Sequence, residues 1–149
     1  MVNEEVEFIA TCQGCHPTVS SFNRSSRADY DGDGSIDGVQ DEIRGLLLAL
    51  ATKIKSIDLT NVTGGTAADT AGDITVTDFA AFASQAVMNA TQIDVRRAVY
   101  NHNLISKDKS LGVHNMAFAI QVLQNTYSAV SQINGGNSFA TDYPNAVIR

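Results

Sequence analysis

Apolar residues recur at three- and four-residue steps along most of this chain, the spacing that gathers one face of an α-helix. The clearest run covers residues 41–56, where Ile43, Leu46, Leu47, Leu50 and Ile54 share a side while Arg44, Lys53 and Lys55 lie off it. Its closing lysines suit the negative pole of the helix dipole. A second stripe, Val113, Met116, Ile120, Leu123, Tyr127 and Val130, predicts a final long helix, capped by Ser110 and stopped after Ile133 by Asn134-Gly135-Gly136. Weaker patterns predict helices over 3–16, from Val6, Ile9 and Ala10, and over 93–104. Another should follow Thr77 as N-cap, carrying Phe79, Phe82, Ala83, Ala86 and Val87. Gly64, Gly65 and Gly72 set a polar loop over 61–73, and residues 137–149 give so little pattern that a flexible or partner-docked tail is expected. The fold class is all-α with little regular sheet. No repeat appears, and Pro17 and Pro144 mark no boundary, so residues 1–149 read as one domain.

Composition agrees with a single packed core: 149 residues, 44% of them hydrophobic, at a mean hydropathy of −0.05. No apolar run approaches the roughly 18 residues a bilayer span needs, and the Met-Val-Asn-Glu-Glu start is not a signal peptide. A net charge of −6 with pI ≈ 4.8 argues against nucleic acid or an anionic membrane as partner. Six of the sixteen acidic residues fall between Asp29 and Glu42, which makes that segment a motif in its own right.

The most specific signal is Cys12-Gln13-Gly14-Cys15-His16. Two cysteines so spaced can each add across a vinyl group of one haem, which places the next histidine beneath the iron. The competing uses of CxxC lack their context. Residues 3–11 hold no buried strand for a thioredoxin-like motif, and His102 and His114 are too far apart to complete a Cys2His2 zinc site. The reading is haem c held by Cys12 and Cys15, with His16 as proximal ligand. Thioether attachment normally happens outside the cytoplasm, so a periplasmic or extracellular location is expected. The export signal would then have been removed or replaced by Met1, in a mature chain or an excised domain.

A low-spin electron-transfer haem takes a sixth ligand, and His102, His114, Met88 and Met116 are the candidates. His114 is best placed, in the first turn of the final predicted helix, with small Ala117 leaving room for a porphyrin and Phe118 able to pack on its edge. The segment Leu111-Gly112-Val113-His114-Asn115, followed by Ala117-Phe118-Ala119, resembles the G-V-H-N-x-x-Y-A stretch near the C-terminal end of multihaem c-type cytochromes. Arg96-Arg97-Ala98-Val99-Tyr100-Asn101 is similar to the R-R-A-x-Y-N stretch that precedes it there, and the acidic segment 29–46 also has its counterpart. The resemblance spans roughly residues 9–130. It implies that His16 and His114 are the axial pair and that His102 is a polar neighbour or a ligand to something outside the chain. A His/Met haem using Met88 or Met116 is the alternative. One CxxCH in place of several removes haem-to-haem conduction within the chain.

Asp29-Tyr30-Asp31-Gly32-Asp33-Gly34-Ser35-Ile36-Asp37 offers oxygens at the odd positions of an EF-hand loop, with glycine sixth and an apolar residue eighth. Hard Ca²⁺ needs six to eight oxygens, here from Asp29, Asp31, Asp33, Ser35 and Asp37. The twelfth position holds Gln40 where an EF-hand has a bidentate glutamate; Asp41 and Glu42 follow, and Glu42 is the favoured closing ligand. The ion's expected role is structural. The three N-x-S/T triplets, at Asn23, Asn61 and Asn89, receive no function.

Single-electron transfer, without catalysis, is the function these readings imply. Redox proteins or neighbouring haem subunits are the expected partners, in a homo-oligomer or filament if one forms. An enzyme or gas sensor with an open sixth position, and a docking module of a larger multihaem assembly, are the rival readings.

Overall fold

The computed structural model describes residues 9–57, 62–64, 74–76, 90–133 and 135–149. Along the chain these form α1 (Ala10–Gln13), α2 (Val39–Lys55), β1 (Val62–Gly64), β2 (Ile74–Val76), α3 (Ala90–Lys107), α4 (Met116–Gln132) and α5 (Phe139–Asp142). The two short strands pair antiparallel, with Thr63 opposite Thr75. The architecture is thus helical, with sheet confined among the described residues to this one pairing.

Helix α2 is the centre of the core and packs against both α4 and α3, which also pack on each other. Its Ile43, Leu46, Leu47, Leu50 and Ile54 are all sealed from solvent, as the helical spacing predicted. They meet Val95, Ala98 and Val99 of α3 and Ala119, Ile120, Leu123, Tyr127 and Val130 of α4. Burying each large aliphatic side chain here contributes about 1.5–3 kcal/mol. Asp41 and Glu42 in the first turn of α2, and Lys53 and Lys55 in its last, oppose the dipole charges in the favourable sense.

Three expectations change. The predicted helix over 3–16 is represented by α1 and a following turn, in which the Cys12 carbonyl accepts from the amides of Cys15 (3.2 Å) and His16 (2.8 Å); residues 1–8 lie outside the described residues, as do Thr77 and the helix expected after it. Ser110 does not cap the final helix. Its hydroxyl turns to Asp108, and Leu111 (φ 47°) and Gly112 (φ 77°) take left-handed backbone that no α-helix tolerates, so α4 starts at Met116. Asn115 caps it instead, its Oδ1 accepting from the Phe118 amide at 3.2 Å.

The third change is the tail, which folds back on its own chain. Phe139 is fully buried, stacks on Tyr143 with centroids 4.6 Å apart, and meets Tyr127 edge-on at 5.1 Å. Asp142 accepts from the Tyr127 hydroxyl (2.7 Å) and from Lys53 Nζ (2.9 Å), and those donors, with Asn137, hold its carboxyl down at about 2. Burial and the Asp142 carboxylate raise the Tyr127 phenol in return. The very end crosses the acidic loop, where the Val147 amide donates to the Asp29 carbonyl at 2.7 Å.

Candidate cofactor cleft and metal loop

The turn after α1, the extended segment 18–25, the start of α2 and the loop 109–114 enclose a cleft of about 1290 Å³. Ordinary small-molecule pockets hold roughly 300–1,000 Å³, so this open cleft has volume for a larger group. Cys12, His16 and His114 all line it, with Val19, Phe22, Leu111 and Val113 as apolar wall. Both histidines are exposed, and among the described residues no hydrogen bond engages either ring. Two unengaged imidazoles and a thiol around an oversized cleft suit covalently held haem. Cys15 is exposed and lies outside the walls.

The loop that presents His114 is unusual backbone. Lys109 (φ 58°), Leu111 and Gly112 all lie in the left-handed region, at about 1–3 kcal/mol for each non-glycine residue. Buried Leu111 anchors it, and a Cβ at Gly112 would sit 3.1 Å from Ile43 of α2, so glycine permits the close approach. Gln40 Nε2 also donates to the Ser110 carbonyl at 3.4 Å. His114 therefore projects from a braced turn before α4 and not from the helix itself.

The acidic loop is folded around two carboxylates. Asp29 Oδ1 accepts from the Gly32 amide (2.6 Å) and Oδ2 from Gly34 (2.9 Å). Gly34, at φ 96°, makes the tight turn expected of the sixth position. Glu42, only 1% exposed, reaches back from α2: Oε2 accepts from the amides of Tyr30 (2.7 Å) and Asp31 (3.2 Å), and Oε1 from Asp37 (3.0 Å). Ligand atoms of Asp29, Asp31 and Glu42 lie within 4.8 Å of one another, a spacing one cation can bridge. Burial first, then the neighbouring charges of Asp33, Glu42 and Asp29, push the Asp31 carboxyl up to about 6. Asp31 rests against Gly45 of α2, where any Cβ would overlap its carboxylate. The other two closing candidates point elsewhere, Gln40 to Ser110 and Asp41 to Arg44 and Asn23.

Asp33, Ser35 and Asp37 are exposed and stand outside that three-residue group, as does Ile36 of the eighth position at 64% exposure. The strand-like contact of this loop is a bridge between Ser25 and Gly38. His102 is 1% exposed within the core and so is no ligand to anything outside the chain. Met116 packs against the core, Met88 lies outside the described residues, and Phe118 is half-exposed and not part of the cleft wall.

Asn23 has a role its triplet did not announce. Its Oδ1 accepts from the Gln40 amide at 2.9 Å and its Nδ2 donates to Asp41 at 2.5 Å, so it caps α2 from outside, where Gly38 offers no side chain. Asn23 and Gln40 both line the cleft, so the first turn of α2 is shared by cleft and loop. No family model, curated protein or solved structure matches this chain.

Proposed function

We propose that this protein transfers single electrons through one c-type haem seated in the cleft, while the acidic loop holds a structural Ca²⁺. The observation that carries this reading is the meeting of Cys12, His16 and His114, from segments distant in the sequence, around one large cleft. Bound there, haem supplies a ferric/ferrous one-electron couple. The chain supplies the rest. The Cys12 and Cys15 thiols would tether the group, Cys12 from the cleft wall and Cys15 from the exposed turn beside it, and the imidazoles of His16 and His114 would hold its iron. Val19, Phe22, Leu111 and Val113 would keep water from one side of the group and so help set its potential. With His16 and His114 both holding the iron, the group would have no open position for a substrate, which favours a carrier over an enzyme. Redox proteins outside the cytoplasm are the partners this implies.

The Ca²⁺ reading rests on Asp29, Asp31 and Glu42, with further oxygens available from Asp33, Ser35, Asp37, backbone and water. The ion would offset the repulsion felt by Asp31 and tie the loop to α2.

Absorption spectra of oxidised and dithionite-reduced protein, with pyridine haemochrome and CO addition, test the reading. Sharp reduced α and β bands, unchanged by CO until His114 is replaced by alanine, are expected. A CO-responsive wild type overturns the second histidine ligand, and absent haem bands in protein matured outside the cytoplasm overturn the cofactor.

A further inference from the structure

The charge of the cleft runs against that of the chain. Acidic residues outnumber Lys and Arg by sixteen to ten, yet among the described residues no carboxylate lines the cleft, while Arg24, Arg44 and Lys109 all do. Arg44 is partly neutralised by Asp41 at 2.8 Å. Among the described residues, the side chains of Arg24 and Lys109 make no ion pair or hydrogen bond. Cations with no partner among the described residues of an acidic protein point to an anion that completes them. Lys109 is further held there by left-handed backbone (φ 58°), in the same loop that presents His114.

Resting on the haem reading above, we infer that Arg24, Arg44 and Lys109 clamp the two propionate carboxylates of the haem and so fix its orientation in the cleft and raise its potential. Guanidinium groups suit carboxylates because two N–H donors match two oxygens, and an ammonium adds a third point of charge. A positive charge near the iron disfavours the more positive ferric state, so removing the cations lowers the midpoint potential. Each propionate would then also keep its proton to higher pH.

The test uses the haem-loaded full chain with Arg24→Gln, Lys109→Gln, their combination, and the triple variant with Arg44→Gln; Arg97→Gln, an exposed α3 cation paired with Asp94, is the control. The R24Q/K109Q double variant leaves the Arg44–Asp41 pair intact, which guards against misfolding of the triple. Midpoint potentials from pH 5 to 9 are read by spectroelectrochemistry, with the reduced α band reporting loading. The expected result is a lowered midpoint and an upward-shifted pH inflection in the double variant, greater in the triple, absent in R97Q and restored by K109R with R24K. An intact α band with midpoint and inflection matching wild type overturns the clamp alone. A wild type without haem bands overturns the haem reading and the clamp with it.

Discussion

Glu42→Gln separates the two jobs assigned to the most buried carboxylate of the acidic loop. Glu42 is 1% exposed, and its oxygens accept from three backbone amides, Tyr30 and Asp31 on Oε2 and Asp37 on Oε1. In glutamine one of those oxygens becomes an NH₂ that cannot accept. The better orientation sacrifices the Asp37 bond and keeps two, now without charge assistance. A lost, partly buried hydrogen bond to a charged acceptor costs about 1.5–3 kcal/mol, and weakening the other two brings the loss to about 2–4 kcal/mol. Together with the calcium stabilisation forfeited, about 2.7 kcal/mol at a hundredfold excess over Kd, and at roughly 2–4 °C per kcal/mol for a protein of this size, Tm by circular dichroism at 222 nm should fall roughly 10–25 °C in saturating calcium. In chelator the fall should be smaller, because neutralising Glu42 also relieves its repulsion with Asp29 and Asp31. Calcium at a hundredfold excess over Kd stabilises by about 2.7 kcal/mol in wild type, and most of that increment should vanish in the variant. A calcium increment equal to wild type would refute Glu42 as a ligand. A Tm within about 2 °C of wild type in both buffers would refute the backbone-acceptor role as well.

Gly45→Ala improves helix propensity by about 1 kcal/mol, yet its methyl overlaps the Asp31 carboxylate, so calcium affinity by isothermal titration should drop at least about tenfold; unchanged affinity would remove Asp31 from the site. Phe139→Ala empties a sealed position between Tyr127 and Tyr143 and should cost about 3–5 kcal/mol in urea unfolding, whereas a tail that merely rests on the surface predicts under about 1 kcal/mol. Asp142 carries a pH signature: its carboxyl is lowered from 3.8 to about 2, so its stabilisation is complete above the higher value and is lost as pH falls through the lower. Urea midpoints of wild type and Asp142→Asn should therefore differ at pH 7 and converge near pH 2; a gap that persists there would place the effect in packing instead.

Sequence pattern alone was enough for the helical class and the inward faces of α2 and α4, and it supplied the CxxCH and acidic motifs on which the proposed haem and calcium rest. Those signals are local: a stripe at helical spacing has one way to be buried, and Cys12, Cys15 and His16 are joined by a single turn. That Glu42 reaches back to the loop was legible because it stands close after the loop in the first turn of α2. What needed the tertiary structure was every relation between distant segments. Asn23 caps α2 across a gap in the chain, Gln40 turns away to brace Ser110, and the patternless tail buries Phe139 against Tyr127. The start of α4 was misread because a stripe records which residues face inward but not backbone sign, and Leu111 and Gly112 turn left-handed before the helix begins. The cationic lining of the cleft was equally invisible, since net charge is a sum over the chain while a cofactor meets only the few side chains that folding gathers around it.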